Sequence, residues 1–222
     1  MLHIVETYGA MLLRSLGQTI LLTLLSLIFA MIVGLIFALM NVGRNRIFNF
    51  IGTLYVDAVR GVPLIVLAYF IYFGIPAGIK SMGIQNFRLT ALSAGTIALA
   101  MNCGAYMAEI IRAGIESVDK GQMEASRSLG LSYGKSMRLV VLPQAIRTMI
   151  PSIINQFIIT LKDTSILSVI AFPELTNTGK TIAGNTFKVL ETWTIVGLMY
   201  MIVIITLSKI AKRIERRANR GR

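Results

Sequence analysis

The chain has 222 residues, 55% of them hydrophobic, a mean hydropathy of +0.72 and only 14% charged residues, against about 25% in soluble domains. This composition excludes an ordinary soluble domain. The formal charge of +12 would suggest a nucleic-acid partner in a soluble chain; here the basic residues gather between and after long apolar runs, where they mark membrane topology instead.

Taken in chain order, apolar runs that approach the roughly 20 residues needed to cross a bilayer lie near 16–42, 47–76, 89–111, 149–170 and 193–210. An all-α integral membrane protein of five transmembrane helices is expected, as a single transmembrane domain over 1–222. Residues 1–10 carry no basic n-region, and the first apolar run exceeds a signal-peptide h-region, so it reads as a plain first span. Lys80, Arg88, Lys180 and Lys188 fall on one side. The other side is far richer: Arg44 and Arg46, then Arg112, Lys120, Arg127, Lys135, Arg138 and Arg147, then Lys209, Lys212, Arg213, Arg216, Arg217, Arg220 and Arg222. By the positive-inside rule that side is cytoplasmic, and an odd number of spans puts the N-terminus outside and the C-terminus inside. No internal repeat points to the inverted halves of many secondary transporters.

The second run contains Asp57 and Arg60 followed by Gly61-Val62-Pro63. Pro63 removes a backbone donor and Gly61 loosens the helix, so a break is expected at the depth of two charges. Counting 1.5 Å per residue from each end, Asp57 to Pro63, Asn102 and Thr160 to Asp163 all fall near mid-depth, where one polar cavity can collect them. Ionisable groups there cost at least about 2.5 to 3.5 kcal/mol each on insertion scales and so face a bundle interior or a pathway. Within this group of Asp57, Arg60, Asn102, Glu109, Asn155, Gln156, Lys162 and Asp163, the substrate-binding candidates are Asp57, Arg60, Asn102 and Asp163. The alternatives are structural: an i,i+3 pair between Asp57 and Arg60, a helix-to-helix bond from Asn102, and an interface pair involving Asp163. Glu109 and Arg112 share the same i,i+3 spacing and read as an ion pair. Adjacent charges such as Lys162 and Asp163 point about 100° apart on a helix, so a cationic or zwitterionic substrate is a natural partner for Asp163. Cys103 lies alone in an apolar span and reads as a small packing residue.

From 113 to 143 the chain spends about thirty residues on the cytoplasmic side, more than the 2 to 8 common between packed helices. Ser117 or Asp119 is expected to cap a helix through Met123, Ala125, Ser126 and Leu129, with Gly130 as its stop. A second helix follows from Ser132 and ends near Pro143. Met123 and Arg127 share one face, as do Glu124 and Ser128. Two roles remain open for this stretch on its residues alone: docking a soluble partner, or lying on anionic headgroups. Gly130-Leu-Ser-Tyr-Gly134-Lys135-Ser136 imitates a P-loop, but three residues separate its glycines where the motif needs four, and no strand precedes it. With His3 the single histidine, neither an imidazole metal pair nor a Ser-His arrangement is available. An enzyme is not expected, and neither is a bound metal or cofactor.

Glu124-Ala125-Ser126, Gly130 and Val140-Val-Leu142-Pro143 resemble the Glu-Ala-Ala loop of ATP-binding-cassette importer permeases, with Ser126 in place of the second Ala and Val140 in place of Ile. The likeness extends through Asn102-Cys-Gly-Ala-Tyr-Met-Ala-Glu109-Ile-Ile-Arg112, Gly121-Gln-Met-Glu124, Leu142-Pro-Gln-Ala145 and Leu161-Lys-Asp-Thr-Ser-Ile-Leu-Ser168 to the permeases for polar amino acids. Arg60-Gly-Val-Pro63 continues it toward the N-terminus, although Val62 replaces the usual Thr and Leu67 stands where many members carry Gln. The resemblance implies a type I importer permease fold and a permease dimer, coupled to ATPase subunits that use ATP and Mg and fed by an extracytoplasmic amino-acid-binding receptor. Met123, Glu124, Ala125, Arg127 and Gly130 would form the ATPase-coupling helix. The acids at Asp57, Asp163 and Glu109 make a basic amino acid such as arginine, histidine or lysine the first expectation, with glutamine second. The rivals are a stand-alone secondary transporter or channel, and a scaffold without transport.

Overall fold

The computed structural model describes residues 1–43 and 45–219, with side chains described through 213. Arg44, Arg220 and Arg222 and the side chains of Arg216 and Arg217, all assigned above to the cytoplasmic side, lie outside what is described. All regular structure among the described residues is helical. We label the elements α1 (Leu2–Val42), α2 (Arg46–Gly61), α3 (Leu64–Ser81), α4 (Ala91–Glu116), α5 (Lys120–Ser128), α6 (Tyr133–Ile170), α7 (Leu175–Thr186) and α8 (Val189–Asn219). Five helices among the described residues are long and apolar enough to cross a membrane: α1, α3, α4, α6 and Val189–Arg213 of α8. Their number matches the expectation, while their limits differ.

The first span begins at Leu2 rather than near residue 16. At 1.5 Å per residue its 41 residues extend roughly 60 Å, about twice a hydrocarbon core. The extra turns are held by packing, because Ile4 and Leu12 are buried against Leu175, Ile182, Ile195 and Val196 of α7 and α8. The α7 helix itself, between the fourth and fifth spans, was not foreseen.

The helix interior is organised around α4. Leu22 of α1 lies by Gly95 and Gly34 by Gly104, so α1 and α4 run parallel. A Cβ added at Gly34 would stand 2.5 Å from the Met107 Cβ and 3.0 Å from the Gly104 carbonyl oxygen. Small residues here let two backbones approach as they do at many membrane helix crossings. On its other side α4 meets α6 in antiparallel sense, with Gly114 against Met149 and Gly95 against Leu167.

The second crossing is broken as the Gly-Val-Pro element predicts. Val62 has φ −107° and ψ 130° and Pro63 has φ −57° and ψ 138°, so two extended residues separate α2 from α3. The proline ring excludes its predecessor from helical dihedrals. Below the break, Phe37 stacks on Tyr55 with centroids 3.7 Å apart, and the Tyr55 hydroxyl donates to the Met101 carbonyl at 2.9 Å. Above it, Leu64, Leu67, Ala68 and Ile71 pack at the level of Leu22 and Ala94.

One boundary is corrected by the structure. The helix that starts after Ser132 does not end near Pro143; it continues through a π-helical turn at Met137–Val141 into Leu142–Asp163 and a 3₁₀ segment at Thr164–Ile170. A proline in a regular helix clashes with the carbonyl four residues back. The wider π turn just ahead of Pro143 relieves that clash and lets the cytoplasmic helix and the fourth span be one rod.

Candidate functional site

A cavity of about 510 Å³ opens where the break meets α4 and α6. Arg60 and the Gly61-to-Leu64 backbone form one wall, Asn102 and Tyr106 the second, and Gln156, Ile159 and Asp163 the third. The periodicity explains the grouping: Asn102 and Tyr106 are one turn apart on α4, and Gln156, Ile159 and Asp163 recur at i, i+3 and i+7 on α6. The interruption adds backbone chemistry, since the last carbonyls of α2 and the first N–H groups of α3 lose their helical partners beside this space.

The charges in the wall are not neutralised by direct pairing. The ion pairs near this wall are those of Arg112 with Glu109 and Glu116. Arg60 and Asp57 therefore do not form the i,i+3 pair considered from spacing. The Arg60 guanidinium instead lies 5.2 Å from the centroid of the Tyr106 ring, an attraction that leaves N–H groups able to bind an anion. Asp163 is half-buried and makes no ion pair, while Lys162 beside it turns outward and is exposed. Asn102 and Gln156 are buried, and the Gln156 Nε2 has no hydrogen-bond partner. An unused buried donor is costly in a packed protein. The wall thus presents a cation, an anion and amides, which suits a ligand carrying both charges.

Asp57 does not join this cavity, contrary to the single space inferred from depth. It lines a second cavity of about 370 Å³ with Asn41, Thr53, Glu109 and Arg112, and Arg60 borders both. Three residues displace Asp57 by most of a helical turn from Arg60 toward the α5 end. Arg112 donates there to Glu109 at 2.5 and 3.2 Å and to Glu116 at 2.6 Å, so the expected Glu109–Arg112 pair is present. Asn155 is exposed and lines neither space. Tyr106 was missed because a tyrosine in a span passes for apolar filling. Gln156 belonged to the mid-depth polar group without being singled out.

The α5 helix is specified at both ends. The Asp119 carboxylate accepts from the Gly121 N–H at 2.7 Å, which makes Asp119 the cap rather than Ser117. At the other end Leu131 N–H reaches the Ser126 carbonyl and Gly130 N–H the Arg127 carbonyl, with Gly130 at φ 86°, the paired closure that glycine allows. Ser126 is buried, Met123 is half-buried, and Glu124, Ala125, Arg127 and Gly130 face outward. Leu129 is 85% exposed and Tyr133 47%, giving an apolar knob beside charges. Gln144 at the start of the fourth span donates to Gln122 at 3.3 Å, tying α5 to α6.

At the opposite end Glu174 is fully buried as the cap of α7. Its carboxylate accepts from Asn177 N–H at 2.5 Å, Thr176 N–H at 2.7 Å and the Tyr200 hydroxyl at 2.8 Å. Burial pushes its acid above the ordinary value of 4.5, against the pull of those three donors.

Residues 11–220 match the family described as binding-protein-dependent transport system inner membrane component. The chain is 36% identical over 200 residues to the glutamine transport system permease protein GlnP of Escherichia coli (strain K12), covering 90% of this chain and 89% of that one. It is 34% identical over 205 residues to the arginine transport system permease protein ArtQ of Bacillus subtilis (strain 168), covering 92% and 91%. The crystal structure of an amino acid ABC transporter with histidines matches with a TM-score of 0.89 at 38% identity over 97% of both chains.

Proposed function

Because the chain belongs to the inner-membrane components of binding-protein-dependent transport systems and is the multi-pass permease subunit of an amino acid ABC importer, we propose that its cargo is a basic amino acid such as arginine, held at the break between α2 and α3. The permease is not itself catalytic; ATP is hydrolysed by a separate ATPase subunit. The observation that carries the substrate reading is the pairing, in one cavity, of Arg60 and Asp163 with neither in an ion pair. Arg60 takes the α-carboxylate through charge-assisted hydrogen bonds. Asp163 takes the cationic side chain, and Asn102 and Gln156 supply neutral contacts. Glutamine is the second reading: the likeness to GlnP and the amide residues Asn102 and Gln156 in the cavity wall favour a neutral amide side chain.

We place the ATPase contact on Met123, Glu124, Ala125, Arg127 and Gly130. Mg and ATP then act on the partner, while this chain binds neither. The N-terminus lies outside and the C-terminus inside, because Arg46, Lys120, Arg127, Lys135, Lys209 and Lys212 fall, by the order of the five spans, on the same side as α5. Two permease chains pair, with an extracytoplasmic amino-acid-binding receptor at the other end. ATP binding draws the ATPases together, the α5 helices follow, and α6 carries the displacement into the cavity as one rod.

A transport panel tests the substrate. Cells expressing the complete system should accumulate labelled arginine, and Asp163→Asn should lower arginine uptake by about ten- to a hundredfold, the scale of one charge-assisted bond. Glutamine uptake that exceeds arginine uptake and is unaffected by Asp163→Asn would favour the second reading.

A further inference from the structure

Arg60 faces two spaces of different character. Toward α3 its neighbours are Asp163, Asn102 and Gln156. Toward α5 they are Asp57, Glu109, Arg112 and Glu116. In this inner space Arg112 alone is shared by two carboxylates, through Nη2 to Glu109 Oε1 at 2.5 Å and Nη1 to Glu116 Oε2 at 2.6 Å. One cation between two anions leaves that group negative, and Asp57 adds a further carboxylate with no ion pair among the described residues. Asn41, nine-tenths buried, borders the same space, with its Oδ1 turned against Gly52 of α2. The inner wall therefore holds more acceptors than its own donors use.

From this juxtaposition we infer that substrate crosses by two stations that share Arg60. The α-carboxylate stays with Arg60 while the cationic end leaves Asp163 and is taken over by Asp57 and the carboxylates around Arg112. The hand-off has a physical reason: a zwitterion released at once from both poles would carry two unpaired charges at membrane depth, the costliest arrangement available there. A pivot on one guanidinium keeps one charge paired throughout. The position of Arg60 in the last turn of α2, separated by Gly61 from the extended Val62 and Pro63, suits a side chain that must serve both sides. The inner acids then act in passage rather than in initial capture.

This inference rests on the outer cavity being the substrate site, and the experiment separates the two. The complex of the full chain with its ATPase is placed in nanodiscs to measure equilibrium binding of labelled arginine, and cells expressing the same variants, with the system's own receptor, report uptake. Asp57→Asn should leave binding within about twofold while uptake falls about tenfold, the size of one lost charge contact. Asp57→Glu, which keeps the charge, should restore uptake. Uptake within twofold of the parent in Asp57→Asn, or an Asp57→Glu variant as impaired as Asp57→Asn, would overturn the inner station. Arginine binding unchanged by Asp163→Asn would remove the outer site itself, and the two-station path with it.

Discussion

The two sides of α4 show opposite ways of building a membrane protein. Toward α1 the backbones meet at Gly34 and Gly104, where the space for even a methyl group is absent. Toward the α2–α3 break the same helix, between its close contacts with α6 at Gly95 and Gly114, presents Asn102 and Tyr106 to a cavity of about 510 Å³. The fold thus separates a dry seam that fixes position from a polar face that opens on a cavity. A packed seam resists displacement because any shift loses close contacts. A polar cavity tolerates rearrangement because a ligand or water can replace each contact.

The largest effect should come from breaking the seam. Gly104→Leu forces a side chain onto Val33, whose Cγ1 is already 2.9 Å from a Cβ placed there. Overpacking typically costs about 1 to 3 kcal/mol and more where backbones touch. The variant should lose its cooperative melting transition in detergent, whereas Asn102→Ala on the cavity side should keep it. Next in size, Gln156→Leu removes the unused donor and should raise Tm by a few degrees, the effect of about 1 kcal/mol, while lowering substrate affinity. Smaller still is the pH response of Glu174. Its acid lies above 4.5 in the folded chain, so the native state holds the proton over a window where the unfolded chain has released it. Stability is thus greatest below that window and falls as pH rises through the folded value. Tm measured from acid to neutral pH should decline across the window, and Glu174→Gln should flatten the slope.

Much of this contrast was legible in the residues. Apolar run lengths marked the spans, and Gly61 with Pro63 marked the break because their backbone chemistry acts locally. Arg60, Asn102 and Asp163 could be brought together by counting depth. Asp57 could not be separated from them, since depth ignores which face of a helix a residue occupies. The α7 helix escaped because Leu175–Thr186 is short and rich in Thr, Asn and Gly, which reads as a loop without its buried cap. Glu174 and Tyr200 meet across 26 residues, a contact that no local pattern announces. The passage of α6 through Pro143 depends on a π turn, whose formation is set by the clash it avoids and by packing on both sides.

In the function proposed here, α5 and the cavity are two ends of one coupled device, joined by α6. The most direct measurement compares ATP-driven arginine uptake with arginine binding in Glu124→Lys, an exposed site on α5 remote from the cavity lining. Uptake should fall by about an order of magnitude or more, through loss of the ATPase contact, with binding by the purified chain within about twofold of the parent. Undiminished uptake would contradict it and return Glu124 to an ordinary surface acid.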